Sequence, residues 1–183
     1  LRAGATLSRG KVEQLIAARA KKMERPYRVD WGGAGERTQM FAKRGHAFKA
    51  PLLSGGVFDF GKVLERKPAV LVFWASWCKP CLAEAPHLVA LHRKYAAKSV
   101  AFAAVSIDEK DALPELRAVV KKLKLPYPIP LDPKGEVLAK YAKGASIPLV
   151  FVVDRTGTVV YTHRNFKPGD EVGLETAIFA TLE

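Results

Sequence analysis

The tightest constraint on this chain is a strand-to-helix junction that carries its only two cysteines. An apolar run, Ala69 to Ala75, leads into Trp77-Cys78-Lys79-Pro80-Cys81, and an amphipathic pattern from Leu82 to Tyr95 leads out. A near-continuous apolar run reads as a central strand buried on both faces. Two thiols three residues apart then sit at a helix N-terminus, where unpaired N–H groups and the macrodipole favour a thiolate. A thiolate beside a second thiol that can resolve a mixed disulfide is equipped for thiol–disulfide exchange. The same pair could be half of a zinc site or a structural disulfide. A zinc site needs two more ligands, and no second cysteine pair supplies them.

The elements around this junction alternate as in an α/β domain. Val57 to Phe60 reads as a short strand, Gly61 to Glu65 as a helical turn, and Ser99 to Ser106 as the strand after the long helix. Pro86 lies inside that helix and is expected to kink it. Leu113, Leu116, Val119, Val120 and Leu123 recur at helical spacing. Pro126, Pro128 and Pro130 keep the chain extended, so a strand at Tyr127 to Leu131 is expected at a sheet edge. A short helix follows at Gly135 to Tyr141. Leu149 to Val153 and Thr158 to Thr162 flank Asp154-Arg155-Thr156-Gly157, a hairpin pattern, and Asp170 to Leu182 is a closing helix.

Charge divides the 183 residues differently. Of the net +12, residues 1–50 carry +8 and the remainder +4. Ser8 can cap a helix whose apolar positions, Val12, Leu15, Ile16, Ala20 and Met23, run until Pro26. Such a basic arm can meet an acidic partner or an anionic membrane surface, or be a solvated helix face. Nucleic acid is not expected, because no binding module or basic–aromatic alternation accompanies the charge. The loop-like Trp31 to Glu36 lacks the strand and the Gly-Lys-Ser/Thr of a phosphate-binding loop and reads as a connection. No apolar run approaches the roughly 20 residues of a membrane span, so a soluble chain is expected. It begins at Leu1 without an apolar leader, as a processed or trimmed chain would.

The segment Val72 to Pro86 resembles the thioredoxin superfamily, and within it the TlpA/ResA-like branch of extracytoplasmic thiol–disulfide oxidoreductases. Val105-Ser106-Ile107-Asp108, Ala145-Ser146-Ile147-Pro148 before Leu149 to Val153, and Asp154 to Gly157 extend the likeness over residues 47–183. It implies a thioredoxin-like α/β fold, a central mixed sheet flanked by helices, preceded by a basic N-terminal helical extension at residues 1–46. The extra helical segment near residues 111–141 fits that branch. The resemblance also implies work outside the cytoplasm, on partner proteins with thiols or disulfides and with an upstream electron donor. No cofactor and no metal are expected.

The chemistry assigns roles to these residues. Cys78 is the exposed attacking thiol, its thiolate favoured by helix N–H groups and the Lys79 cation, and the more buried Cys81 resolves the mixed disulfide. Pro80 lacks an N–H, which costs nothing in a first turn, and stiffens the loop. Trp77 offers an apolar surface to a partner or simply packs. The resemblance implies a cis Ile147–Pro148 bond facing the dithiol, with the Ile147 backbone free to pair with substrate. Thioredoxin's buried acid, six residues before the first cysteine, is here Val72. The branch instead places a glutamate three residues after the second cysteine, and Glu84 occupies that position, close enough to exchange a proton with Cys81. The alternative is a solvated helix glutamate. His46, His87, His92 and His163 are expected to be solvated or packed. Copper-handling relatives carry Cys-x-x-x-Cys, one residue longer than here, and peroxiredoxins need threonine where Ala75 stands. A rival of another class is a dithiol module that chaperones a metal such as Cu(I).

Overall fold

The computed structural model describes residues 43–65 and 67–182. In chain order its elements are β1 (Lys43–Arg44), β2 (Lys49–Pro51), β3 (Val57–Asp59), α1 (Phe60–Leu64), β4 (Ala69–Trp74) and α2 (Lys79–Tyr95). They continue with β5 (Ala101–Ser106), α3 (Leu113–Leu123), α4 (Glu136–Tyr141), β6 (Leu149–Val153), β7 (Thr158–Arg164) and α5 (Asp170–Ala180). The helix expected from Ser8 and the connection at residues 31–36 lie outside the described residues.

Side chains alternate across a strand, and β4 uses the alternation to build two cores. Val70, Val72 and Trp74 face a layer that holds Leu88 and Leu91 of α2, Leu116 of α3 and Leu174 and Ile178 of α5. Leu71 and Phe73 face the other way, onto Phe48, Phe60, Val137 and Phe151. Helical layers thus cover both faces, which is why the sequence of β4 is apolar at every position. The sheet order is β1-β7-β6-β4-β5, with β4 and β5 parallel and the remaining pairs antiparallel. This is the mixed sheet of the thioredoxin-like fold. The β6–β7 turn holds as expected: Asp154 Oδ1 accepts from the Thr156 and Thr158 N–H groups, and Gly157 takes φ +79°.

Two parts differ from the expected pattern. The proline-rich segment is not an edge. The Pro128 and Pro130 carbonyls accept from the Ala104 and Ser106 N–H groups of β5, while the Ile129 carbonyl and Leu131 N–H bond Leu53 and Pro51 on the other side. Prolines offer only carbonyls, and here those carbonyls point at β5, so the missing N–H groups leave no gap in the pairing. At the other edge, Lys43 and Arg44 pair with Val159 and Thr158 respectively, and Tyr141 donates its hydroxyl to the His46 carbonyl at 2.7 Å. The sheet therefore takes in residues that precede position 47. Pro86 lies within α2, and the helix continues on both sides of it.

Candidate active site

Cys78 is the N-cap of α2. Its backbone is extended at φ −81°, ψ 98°, and its N–H donates to the Ala75 carbonyl, closing the turn that leaves β4. The Cys78 Sγ accepts the Cys81 N–H at 3.3 Å, so a sulfur occupies the place of the usual oxygen cap. Lys79 and Pro80 fill the first turn, where no acidic side chain competes for the helix N-terminus. Cys78 and Cys81 are joined by a disulfide, with 5.2 Å between their Cα atoms. The expected difference in exposure is absent in this oxidised form: Cys78 is 5% and Cys81 3% exposed. Both cysteines belong to the core cluster that also holds Val72, Trp74 and Leu88. Trp77 instead projects outward, 64% exposed.

The cis Ile147–Pro148 bond implied by the resemblance is present. Leu149 pairs with Phe73, so one further step of the antiparallel register sets Pro148 opposite Trp74. That is the end of the sheet from which the Cys78 turn departs. Pro148 is buried and Ile147 half-buried.

Glu84 is not solvated. It lies one turn beyond Cys81, 2% exposed, and neither carboxyl oxygen has a hydrogen-bond partner. Burial, with a smaller contribution from the charge of Asp170, raises its pKa from 4.5 to about 8. It shares a small cavity with Cys81, Val72, Trp74, Leu88 and Tyr127. Val72 is apolar at the base of this cavity, so Glu84 is the carboxyl group among its lining residues. The Tyr127 hydroxyl is pushed up by burial and by Glu84.

Sequence reasoning missed a second buried acid. Asp108, 1% exposed, follows β5 and accepts from the Ser76 backbone N–H through both oxygens, at 3.2 and 3.0 Å, from the Ser76 hydroxyl, and from the Ser106 hydroxyl at 2.7 Å. It pins the residue immediately before Trp77 and Cys78. Asp108 was visible as the end of a strand motif, but its partner Ser76 lies 32 residues away. Two of the four histidines are packed: His92 stacks edge-on to Phe102 and Tyr127, and burial lowers its pKa, while His163 is 3% exposed. Among the described residues no group of three or more His, Cys, Asp or Glu could hold a metal ion.

A thioredoxin-like domain with a cysteine pair at the start of α2 and a cis-proline at the same sheet end defines a class of protein. The chain belongs to the AhpC/TSA family, whose model matches residues 42–162. Over 99 residues it is 34% identical to the thiol-disulfide oxidoreductase ResA of Bacillus thuringiensis, a match covering 54% of this chain and 56% of ResA. The chain thus spans about half the length of the curated relatives it matches. A candidate thiol:disulfide interchange protein DsbE from Chlorobium tepidum superposes with a TM-score of 0.70 at 29% identity, covering 78% of this chain and 97% of that one. A secreted Mycobacterium tuberculosis disulfide oxidoreductase superposes at 0.63 with 28% identity, covering 73% and 95%.

Proposed function

We propose that the protein is a thiol–disulfide oxidoreductase that works outside the cytoplasm and reduces disulfides of partner proteins. The observation that carries this reading is the Cys78–Cys81 pair at the N-terminus of α2 with Glu84 buried in the same cavity as Cys81. In the reduced form the Cys78 thiolate, favoured by the helix N–H groups and by Lys79, attacks a partner disulfide. One partner sulfur leaves as thiolate and takes a proton from water. Cys81 then gives its proton to Glu84 and attacks Cys78 Sγ, which releases the second partner sulfur and forms the Cys78–Cys81 disulfide. Two electrons pass to the partner, and an upstream dithiol donor restores the starting state. A carboxyl group with a pKa of about 8 is well matched to a thiol, whose ordinary value is about 8.5, so the proton moves between them with little driving force either way.

Trp77, Lys79, Pro80 and Ile147 form the partner-facing surface, and the buried Pro148 fixes the Ile147 backbone through its cis bond. Trp77 supplies exposed aromatic area, and the Ile147 backbone, ahead of the cis bond, pairs with an extended segment of the partner. The extracytoplasmic setting is supported by the likeness to a secreted disulfide oxidoreductase. No helix among the described residues is long and apolar enough to cross a membrane. Within the 1–46 extension, the basic residues ahead of β1 are proposed to dock an acidic partner or membrane surface. Family membership does not bring peroxide chemistry with it, since Ala75 stands where a peroxiredoxin's threonine is needed.

The order of attack is the test. Cys81→Ser should trap mixed disulfides with partner proteins, whereas Cys78→Ser should trap few or none. Equal trapping by both variants would overturn the assignment.

A further inference from the structure

Glu84 lies in the walls of two adjoining cavities. One contains Cys81 and Tyr127; the other contains His87, His163, Phe166, Asp170 and Glu171. Glu84 is the titratable side chain common to both. On the side away from the dithiol, the buried His163 of β7 places Nε2 at 3.4 Å from Asp170 Oδ2, and the same oxygen accepts the Lys167 N–H at 2.7 Å. The Asp170 side chain is 31% exposed, so this pair links the interior to water. Glu171 accepts the Gly169 N–H and stands 3.9 Å from His87 Nδ1, at the rim of the second cavity.

We propose that the Asp170–His163 pair is the proton exit for Glu84, carrying the proton released by Cys81 out through the second cavity to solvent. This rests on the reading of Glu84 as the base for Cys81. The transfer balances simply. The Cys81 thiol and the Glu84 carboxylate become a thiolate and a carboxylic acid. Rotation of the Glu84 side chain, which no hydrogen bond restrains, presents the acid to the second cavity. There it returns to carboxylate by giving the proton to the Asp170–His163 pair, and the exposed Asp170 passes it to water. No electrons move in these steps. The alternative exit, back past the cysteines, is covered in a mixed disulfide by the partner itself. The charge of Asp170 also disfavours the charged form of Glu84.

The groups facing Glu84 are Cys81 and His87 on its own helix, Tyr127 after α3, His163 on β7, and Asp170 and Glu171 on α5. The test follows repeated turnover on a protein disulfide, which must return Glu84 to its carboxylate in every cycle, as a function of pH, in the full chain. The parent should show a rise with a midpoint near 8, set by Glu84. Glu84→Gln should remove that limb. Asp170→Asn retains an acceptor for the Lys167 N–H, so it preserves the local fold. It should move the midpoint down, because a repelling anion is gone, and slow the plateau roughly tenfold. His163→Gln should slow the plateau similarly. If Glu84→Gln removes the limb while Asp170→Asn and His163→Gln leave midpoint and plateau at parent values, the exit route is overturned and the base stands. If Glu84→Gln leaves the profile unchanged, both are overturned.

Discussion

The end of β5 and the second turn of α2 each bury a carboxyl group beside the dithiol, and they treat it in opposite ways. Asp108 is surrounded by donors: the Ser76 N–H and hydroxyl and the Ser106 hydroxyl all point at it. Glu84, equally buried, has no hydrogen bond to either oxygen. Burial alone therefore does not define what an acid does. A carboxyl group whose oxygens are all engaged is a fastener, here for the turn that carries Trp77 and Cys78. One left without partners has its titration moved towards neutral pH and is available to take and release a proton.

The largest expected effect lies on the fastened side. Asp108→Ala leaves the Ser76 N–H and two hydroxyls unpaired in the core, and should lower unfolding stability by about 4 kcal/mol. Chemical denaturation of the oxidised protein measures this directly. A loss under about 1 kcal/mol would mean that the network is not what holds the turn, and the contrast with Glu84 would collapse.

The next effect is a slope with pH. The folded state raises the Glu84 pKa from 4.5 to about 8, so between these values it binds the proton that the unfolded chain releases. Glu84's contribution to stability is therefore best below pH 4.5, declines as pH rises from there, and levels off above about 8. Glu84→Gln should abolish this decline, so the variant gains on the parent at pH 9 and not at pH 4. Parallel stability curves for the two proteins would place Glu84 among satisfied groups like Asp108.

The smallest effect sharpens the distinction. Asp108→Asn keeps one acceptor oxygen and the same shape, and should cost about 1 kcal/mol while leaving the pH slope due to Glu84 in place. If Asp108→Asn instead removed that slope, the two acids would be one coupled system and not two separate devices.

Much of this was legible from the chain. The apolar run into the cysteine motif specified a central strand and the helix after it, and the spacing of Glu84 from Cys81 specified that they would be neighbours on α2. What spacing could not specify was the environment of Glu84. Its burial follows from Leu88, Tyr127 and Trp74 closing over it, and these come from three separate elements. The proline-rich segment was misplaced at an edge for a similar reason: its outer partner, residues 51–53, lies more than 70 positions earlier in the chain.

The sequence by itself thus determined the local chemistry: two thiols at a helix start, a proline that opens β6, and a carboxyl group one turn from the second sulfur. These depend on helix and strand periodicity, which act over a few residues. Only the tertiary structure decided which polar groups find partners. Ser76 meets Asp108, and His163 meets Asp170 on the far side of Glu84, because sheet register and helix packing bring them together. Desolvation and hydrogen bonding depend on what surrounds a group in space, and neighbours in space are set by the fold and not by the order of residues.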